Sequence, residues 1–256
     1  MAENQYAFPT EVLSLPSKGL LYPKDSPLSK GTIDVKYMTA KEEDILTSQN
    51  LIQQGVVIDR LLDSIIATEG VKLGDLLIGD KNAIMIGTRV LGYGKDYPVT
   101  LTDPDTGDSV ETEIDLTKLK NTKFDESVFK GENKFSFTLP NSKKVIEFKL
   151  LTHSDEETID KLIQSYEKVT NVTGVSNEMT LRLKHQILSV DGVTDQKEID
   201  NFVDNQFLAL DTREFRKYVS KIQPDVDVSI NYTSKVGKQH KIPIALGIDF
   251  FWPAGE

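Results

Sequence analysis

The 256-residue chain contains no cysteine, so disulfide staples, thiol nucleophiles and thiolate metal ligands are excluded. Histidine is scarce: His153, His185 and His240 are the full set, and none has a second histidine at ligand spacing. No apolar run reaches the roughly 18 residues needed to span a bilayer. No basic cluster offsets the excess of 40 acidic over 30 basic residues, and the resulting charge of −10 repels phosphate backbones. Also missing are a Walker sequence, a Gly-x-Ser-x-Gly elbow and a His-Glu-x-x-His pair. Gly87 and Gly92-Tyr-Gly94 neither follow a strand nor open a helix, as a dinucleotide site requires. These absences predict a chain that is not an enzyme and has no catalytic, metal-binding or cofactor-binding residues, no nucleic-acid partner and no small-molecule substrate. The polar stretch Met1–Thr10 does not read as a leader, which sets the expectation of a protein made and kept in a cytoplasm.

The periodicity that is present predicts an α+β fold, a helical body carrying two or more β-hairpins and an extended N-terminal arm. Pro9, Pro16, Pro23 and Pro27 with Gly19 and Gly31 favour an arm punctuated by turns over helix or sheet in residues 1–31. A second segment, 32–120, opens with alternation over Thr32–Met38. A helix from the capping box Thr39-Ala-Lys-Glu42 to about Gln54 comes next, then one carrying Ile58, Leu61, Leu62, Ile65 and Ile66, and a third after Gly79-Asp80. Val99 and Leu101, a turn at Asp103-Pro-Asp-Thr-Gly107, and Val110 to Leu116 form a first hairpin. Segment 121–223 holds a second hairpin around Asn141-Ser142. Its helices are one capped by Ser154-Asp-Glu-Glu157, then Glu178 to Leu188, Asp195 to Asn205 and Asp211 to Ile222. Segment 224–256 returns to a hairpin, packed with the first and followed by an aromatic tail. At an offset of 130 positions Gly237, Ile244 and Leu246 fall on Gly107, Ile114 and Leu116, a faint internal repeat.

Several groups could carry chemistry. The carboxylate runs Glu42-Glu43-Asp44 and Asp155-Glu156-Glu157 stand in first helical turns, where cap and dipole interactions account for them. Asp103, Asp105 and Asp108 lack the spacing of a calcium loop and read as a solvated turn. Leu13, Leu15, Leu20, Leu21 and Tyr22 in the arm, and Phe250, Phe251 and Trp252 near the end, need an apolar surface. They either fold onto the chain's own core or anchor a partner.

Leu15-Pro-Ser-Lys-Gly-Leu-Leu-Tyr-Pro23, Tyr37-Met-Thr-Ala-Lys-Glu-Glu-Asp44, Gly92-Tyr-Gly94 before a hairpin, and the terminal Phe-Phe-Trp-Pro253 together resemble the T-even-type phage baseplate hub assembly family. Many members carry a Cys-x-x-Cys-Gly knuckle in each of two hairpins, which together look like a zinc ribbon. Here those four positions read Asp103, Thr106, Thr233 and Val236, so the resemblance implies a metal-free, ribbon-like module whose turns persist through Gly107 and Gly237. It further implies stoichiometric contact with other baseplate hub or tail proteins during assembly, as a chaperone-like factor or as a permanent hub subunit. The implied location is the host cytoplasm during assembly, with the virion tail as an alternative destination.

Overall fold

The alternation of Thr32–Met38 puts Ile33 and Val35 on one side of a strand, and both are buried. In the computed structural model, which describes residues 9–129, 131–169 and 177–251, this strand is β2 (Thr32–Lys36). It pairs antiparallel with β1 (Thr10–Ser14), which sets Leu13 opposite Ile33. The arm therefore contributes a strand, where turns and extended chain were expected. Pro9 and Pro16 flank Thr10–Ser14 and leave the amides between them free to join a ladder.

The capping box forms as the sequence predicts: Thr39 N and Oγ1 donate to Glu42 Oε2 at 2.9 and 2.6 Å. The helix it starts is shorter than expected. α1 (Ala40–Leu46) ends where Thr47 Oγ1 bonds back to the Glu43 carbonyl at 3.0 Å and Ser48 turns extended, and a separate α2 (Gln49–Gln54) follows. α3 (Val57–Ile65) buries Leu61, Leu62 and Ile65 against α1, and α4 (Ile78–Tyr93) runs behind β1.

The first predicted hairpin is β3 (Asp96–Thr102) with β4 (Ser109–Asp115). The second is β5 (Phe135–Thr138) with β6 (Val145–Phe148). α5 (His153–Val169) follows, capped by Thr152 where Ser154 was expected: Thr152 N and Oγ1 both donate to Asp155 Oδ2 at 3.0 Å. α6 (Glu178–Gln186) gives way to β7 (Ile187–Val190), a strand whose first two residues were expected to end the helix. The run Ile187-Leu-Ser-Val190 suits either period, and pairing with β6 decides it, giving the sheet order β5-β6-β7. α7 (Gln196–Asn205) starts under the Asp195 cap. α8 (Ala209–Ile222) begins two residues before the expected Asp211, and β8 (Ser229–Thr233) with β9 (Gln239–Pro243) forms the last hairpin. The fold is α+β, and one continuous core takes side chains from all four sequence segments, from Leu15 through Ile33, Leu62, Phe135 and Phe215 to Phe251.

Two polar anchors fix the ends of the chain to α4. Asp80 is fully buried; its Oδ1 accepts from Ser17 N at 2.9 Å, and its Oδ2 accepts from Ser17 Oγ and Tyr22 OH at 2.6 Å each. The Tyr22 oxygen in turn accepts from Leu77 N at 3.0 Å. Burial pushes both the Asp80 carboxyl and the Tyr22 phenol up from their ordinary pKa values, with their mutual proximity adding to the Tyr22 shift. Arg89, 1% exposed, donates from Nε to the Phe250 carbonyl at 3.1 Å and lies over the rings of Tyr93 and Tyr97. Phe250 meets Tyr97 edge-on at 5.0 Å and Phe251 at 5.6 Å.

Tyr22→Phe leaves an acceptor on Asp80 and the Leu77 amide unpaired in a buried setting, and is expected to lower unfolding free energy in urea by about 1–3 kcal/mol. Phe250→Ala is expected to cost about 3–5 kcal/mol in the same measurement, as removal of a fully buried aromatic does.

Candidate functional site

Asp103 follows β3 directly, in the turn the sequence marks with Pro104 and Gly107. It is 1% exposed, although it sits in a hairpin turn rich in charge. One carboxylate oxygen serves its own turn: Oδ1 accepts from the amides of Asp105 at 2.8 Å and Thr106 at 3.2 Å, the short-range bonding that aspartate makes readily. The other reaches the last hairpin, where Oδ2 accepts from Tyr232 OH at 2.8 Å and the Lys235 amide at 3.1 Å. A single side chain thus joins two hairpins more than a hundred residues apart in sequence. Burial alone raises the Asp103 carboxyl, but the donors, led by the Lys235 amide, outweigh it and hold the pKa at about 2.

The neighbouring acids extend the joint. Asp105 Oδ2 lies 2.7 Å from His240 Nε2, and its Oδ1 lies 3.2 Å from Lys238 Nζ. A Ser234 hydrogen bond first, then those of His240 and Lys238, bring the Asp105 pKa to about 2. Asp108 Oδ2 pairs with Lys235 Nζ at 2.6 Å. The three aspartates that read as a solvated turn are therefore all committed to the other hairpin. The sequence shows three acids in one turn, and Lys235 and Lys238 in the other with His240 in the strand after it, but only the fold brings them into register.

The internal repeat is real at the glycines and slips just before them. Gly107 and Gly237 both adopt positive φ, 77° and 84°, which favours glycine in each turn. Gly107 N bonds to the Asp103 carbonyl four residues back, whereas Gly237 N bonds to the Ser234 carbonyl three residues back. The second turn is one residue tighter, so Ser234, buried, takes the place that the 130-residue offset assigns to Thr233. Of the four degenerate knuckle positions, Asp103 alone lies in the joint; Thr106, Thr233 and Val236 are exposed.

The apolar segments at the ends lie inside the chain. Leu15, Leu21, Tyr22, Phe250 and Phe251 are buried in the common core, and Leu13 and Leu20 are half-buried. These contacts are the own-core alternative of the sequence reading; Trp252 lies outside the described residues. The sequence missed a second polar cluster. His153 opens α5 buried, with Nδ1 3.0 Å from Lys81 Nζ and Nε2 3.1 Å from Asp59 Oδ1, while Lys81 Nζ also pairs with Asp59 at 2.8 Å. Asp59, His153 and Glu157 each bring a ligand-type atom within 4.8 Å of the others, and Lys81 already supplies a positive charge to two of them. Burial opposes ionisation of Asp59, and bonds from His153 and Lys81 overcome it, lowering its pKa to about 2.

A folded-state pKa below the ordinary carboxylate value of about 3.9 contributes stability that is present above that value and lost as pH falls toward 2. Asp103→Asn is therefore expected to be less stable than wild type near neutral pH, with the difference shrinking between about pH 4 and 2. Thermal unfolding of both proteins across that window checks it; a difference independent of pH would contradict the assignment.

Among the described residues no helix is long and apolar enough to cross a membrane. No curated protein and no solved structure matches the chain. The family model described as T4 bacteriophage base plate protein matches residues 19–252, a span that holds Leu21 and Tyr22 of the arm, the joined hairpins and the Phe250–Phe251 anchor, and the chain belongs to that family of phage baseplate proteins.

Proposed function

We propose that the chain is a stoichiometric, non-catalytic binder in assembly of the baseplate hub, acting through contacts with other hub or tail proteins. The observation that carries this reading is the family match over residues 19–252, which includes both hairpins and the carboxylate joint between them. In this reading the joined hairpins are a ribbon-like module that keeps its shape without metal, because Asp103, Asp105 and Asp108 supply from side chains the cross-links that a bound ion supplies elsewhere. Such a module positions surface and needs no reacting group. With the apolar ends folded inward, contact falls to residues left outside the core, among them Leu208, Leu210 and Val236, each at least half exposed.

A chaperone-like factor binds a hub component in the host cytoplasm and leaves; a permanent subunit stays in the virion tail. The inward docking of Phe250 and Phe251 favours the second reading in one respect, because it removes apolar ends that a shielding factor could lend to a client. Quantitative mass spectrometry of purified particles beside infected-cell lysate separates them, with a tail-tube protein as reference in each. Abundance in lysate with no more than traces in particles is expected. A small fixed stoichiometry in particles would replace the chaperone reading with the subunit reading.

A further inference from the structure

A groove of about 570 Å³ opens between α5, α6 and α8, beside the start of α4. Its wall is apolar, built from Ile78, Leu151, Met179, Leu183 and Val219, with Met179 half exposed. At Gln186, Arg216, Val219 and Gln223 it continues into a smaller, polar space of about 280 Å³ that reaches Thr122 and Asp225. The charged groups along this path are already engaged, with one exception. Arg182 pairs with Glu156 and with Glu178, the latter at 3.0 Å from Nε. Asp225 accepts from Asn82 Nδ2 at 3.0 Å and from the Val226 amide at 2.7 Å. Arg216 has no ion-pair or hydrogen-bond partner among the described residues.

The second observation is an amide. Gln186 is 9% exposed and lines both spaces, yet its side chain forms no hydrogen bond among the described residues. Although the residue is mostly buried, its amide atoms are not sealed from solvent, so they are available in the groove to bond an occupant. Gln223, half-buried at the same junction, offers another amide. A carboxamide presents a donor and an acceptor side by side, the pair that a peptide group satisfies.

We propose that this groove docks an extended, acidic segment of a baseplate partner protein. Apolar side chains of the segment lie on Met179, Leu183 and Val219, its peptide groups meet Gln186 and Gln223, and a carboxylate pairs with Arg216. Charge selects the occupant: Arg182 is taken up by Glu156 and Glu178, which leaves Arg216 as the lining cation with which an incoming carboxylate pairs.

The inference rests on the reading that the chain works by protein contact, and the test separates the two. Baseplate subassemblies purified from infected cells lacking this chain serve as the probe, and binding of full-length wild type, Arg216→Glu, Arg216→Lys and Met179→Asp is measured by co-sedimentation. Arg216 and Met179 are exposed, so unchanged thermal midpoints confirm folding. The expected result is binding by wild type and Arg216→Lys, with at least about tenfold weaker binding by Arg216→Glu and Met179→Asp, the scale of one close charge pair. Equal binding by all four overturns the groove while leaving the proposed function in place. Failure of wild type to bind removes the proposed function and the groove with it.

Discussion

Buried aspartates that accept hydrogen bonds from distant loops hold this structure together. Asp80 ties the arm to α4 through Ser17 and Tyr22, and Asp103 ties the first hairpin to the last. Asp211, in the first turn of α8, ties down the β5–β6 turn by accepting from the Asn141 amide at 2.7 Å and the Ser142 amide at 2.9 Å. Each is nearly or wholly inaccessible to solvent. A carboxylate has about four lone-pair sites, so one side chain can bind two segments at once. In a chain without cysteine this does the work that a disulfide or a metal does in other small modules.

The three joints differ in electrostatics, and the donors explain why. Asp103 and Asp211 each receive backbone amides that favour the ionised form, and both are held at about pKa 2 against the effect of burial. Asp80 receives one amide and two hydroxyls and lies near the charge of Asp225, so burial wins and its pKa rises. The hairpin joint is therefore a charged contact that keeps its strength at neutral pH.

Much of the fold was legible because it rests on local chemistry. The Thr39–Glu42 capping box, the alternation in β3, β4, β5 and β6, the helix up to Asn205 and the paired turn glycines all follow from short-range rules. The errors arose where two local rules competed or where a distant partner decided. Ile187–Val190 fits a helix or a strand until β6 pairs with it, and Thr47-Ser48 breaks a helix that apolar period alone would continue. Leu15, Tyr22 and Phe250 were readable as apolar anchors, but only packing shows that they anchor the chain to itself. Asp103 stood out as a knuckle position, and the 130-residue repeat pointed to the last hairpin, yet its bonds to Tyr232 and Lys235, which span 129 and 132 residues, are set by the fold. Gln186 and Arg216 carried no signal at all, since their interest lies in the partners they lack.

Native-state amide hydrogen exchange of the full chain tests the carboxylate joints most directly. The amides of Ser17, Lys235, Asn141 and Ser142 bond to aspartate side chains and to no ladder neighbour. If these joints hold the structure, the four amides exchange as slowly as those of the β5–β6 ladder at neutral pH. Exchange at the rate of open loops would show that the aspartates decorate the fold without holding it.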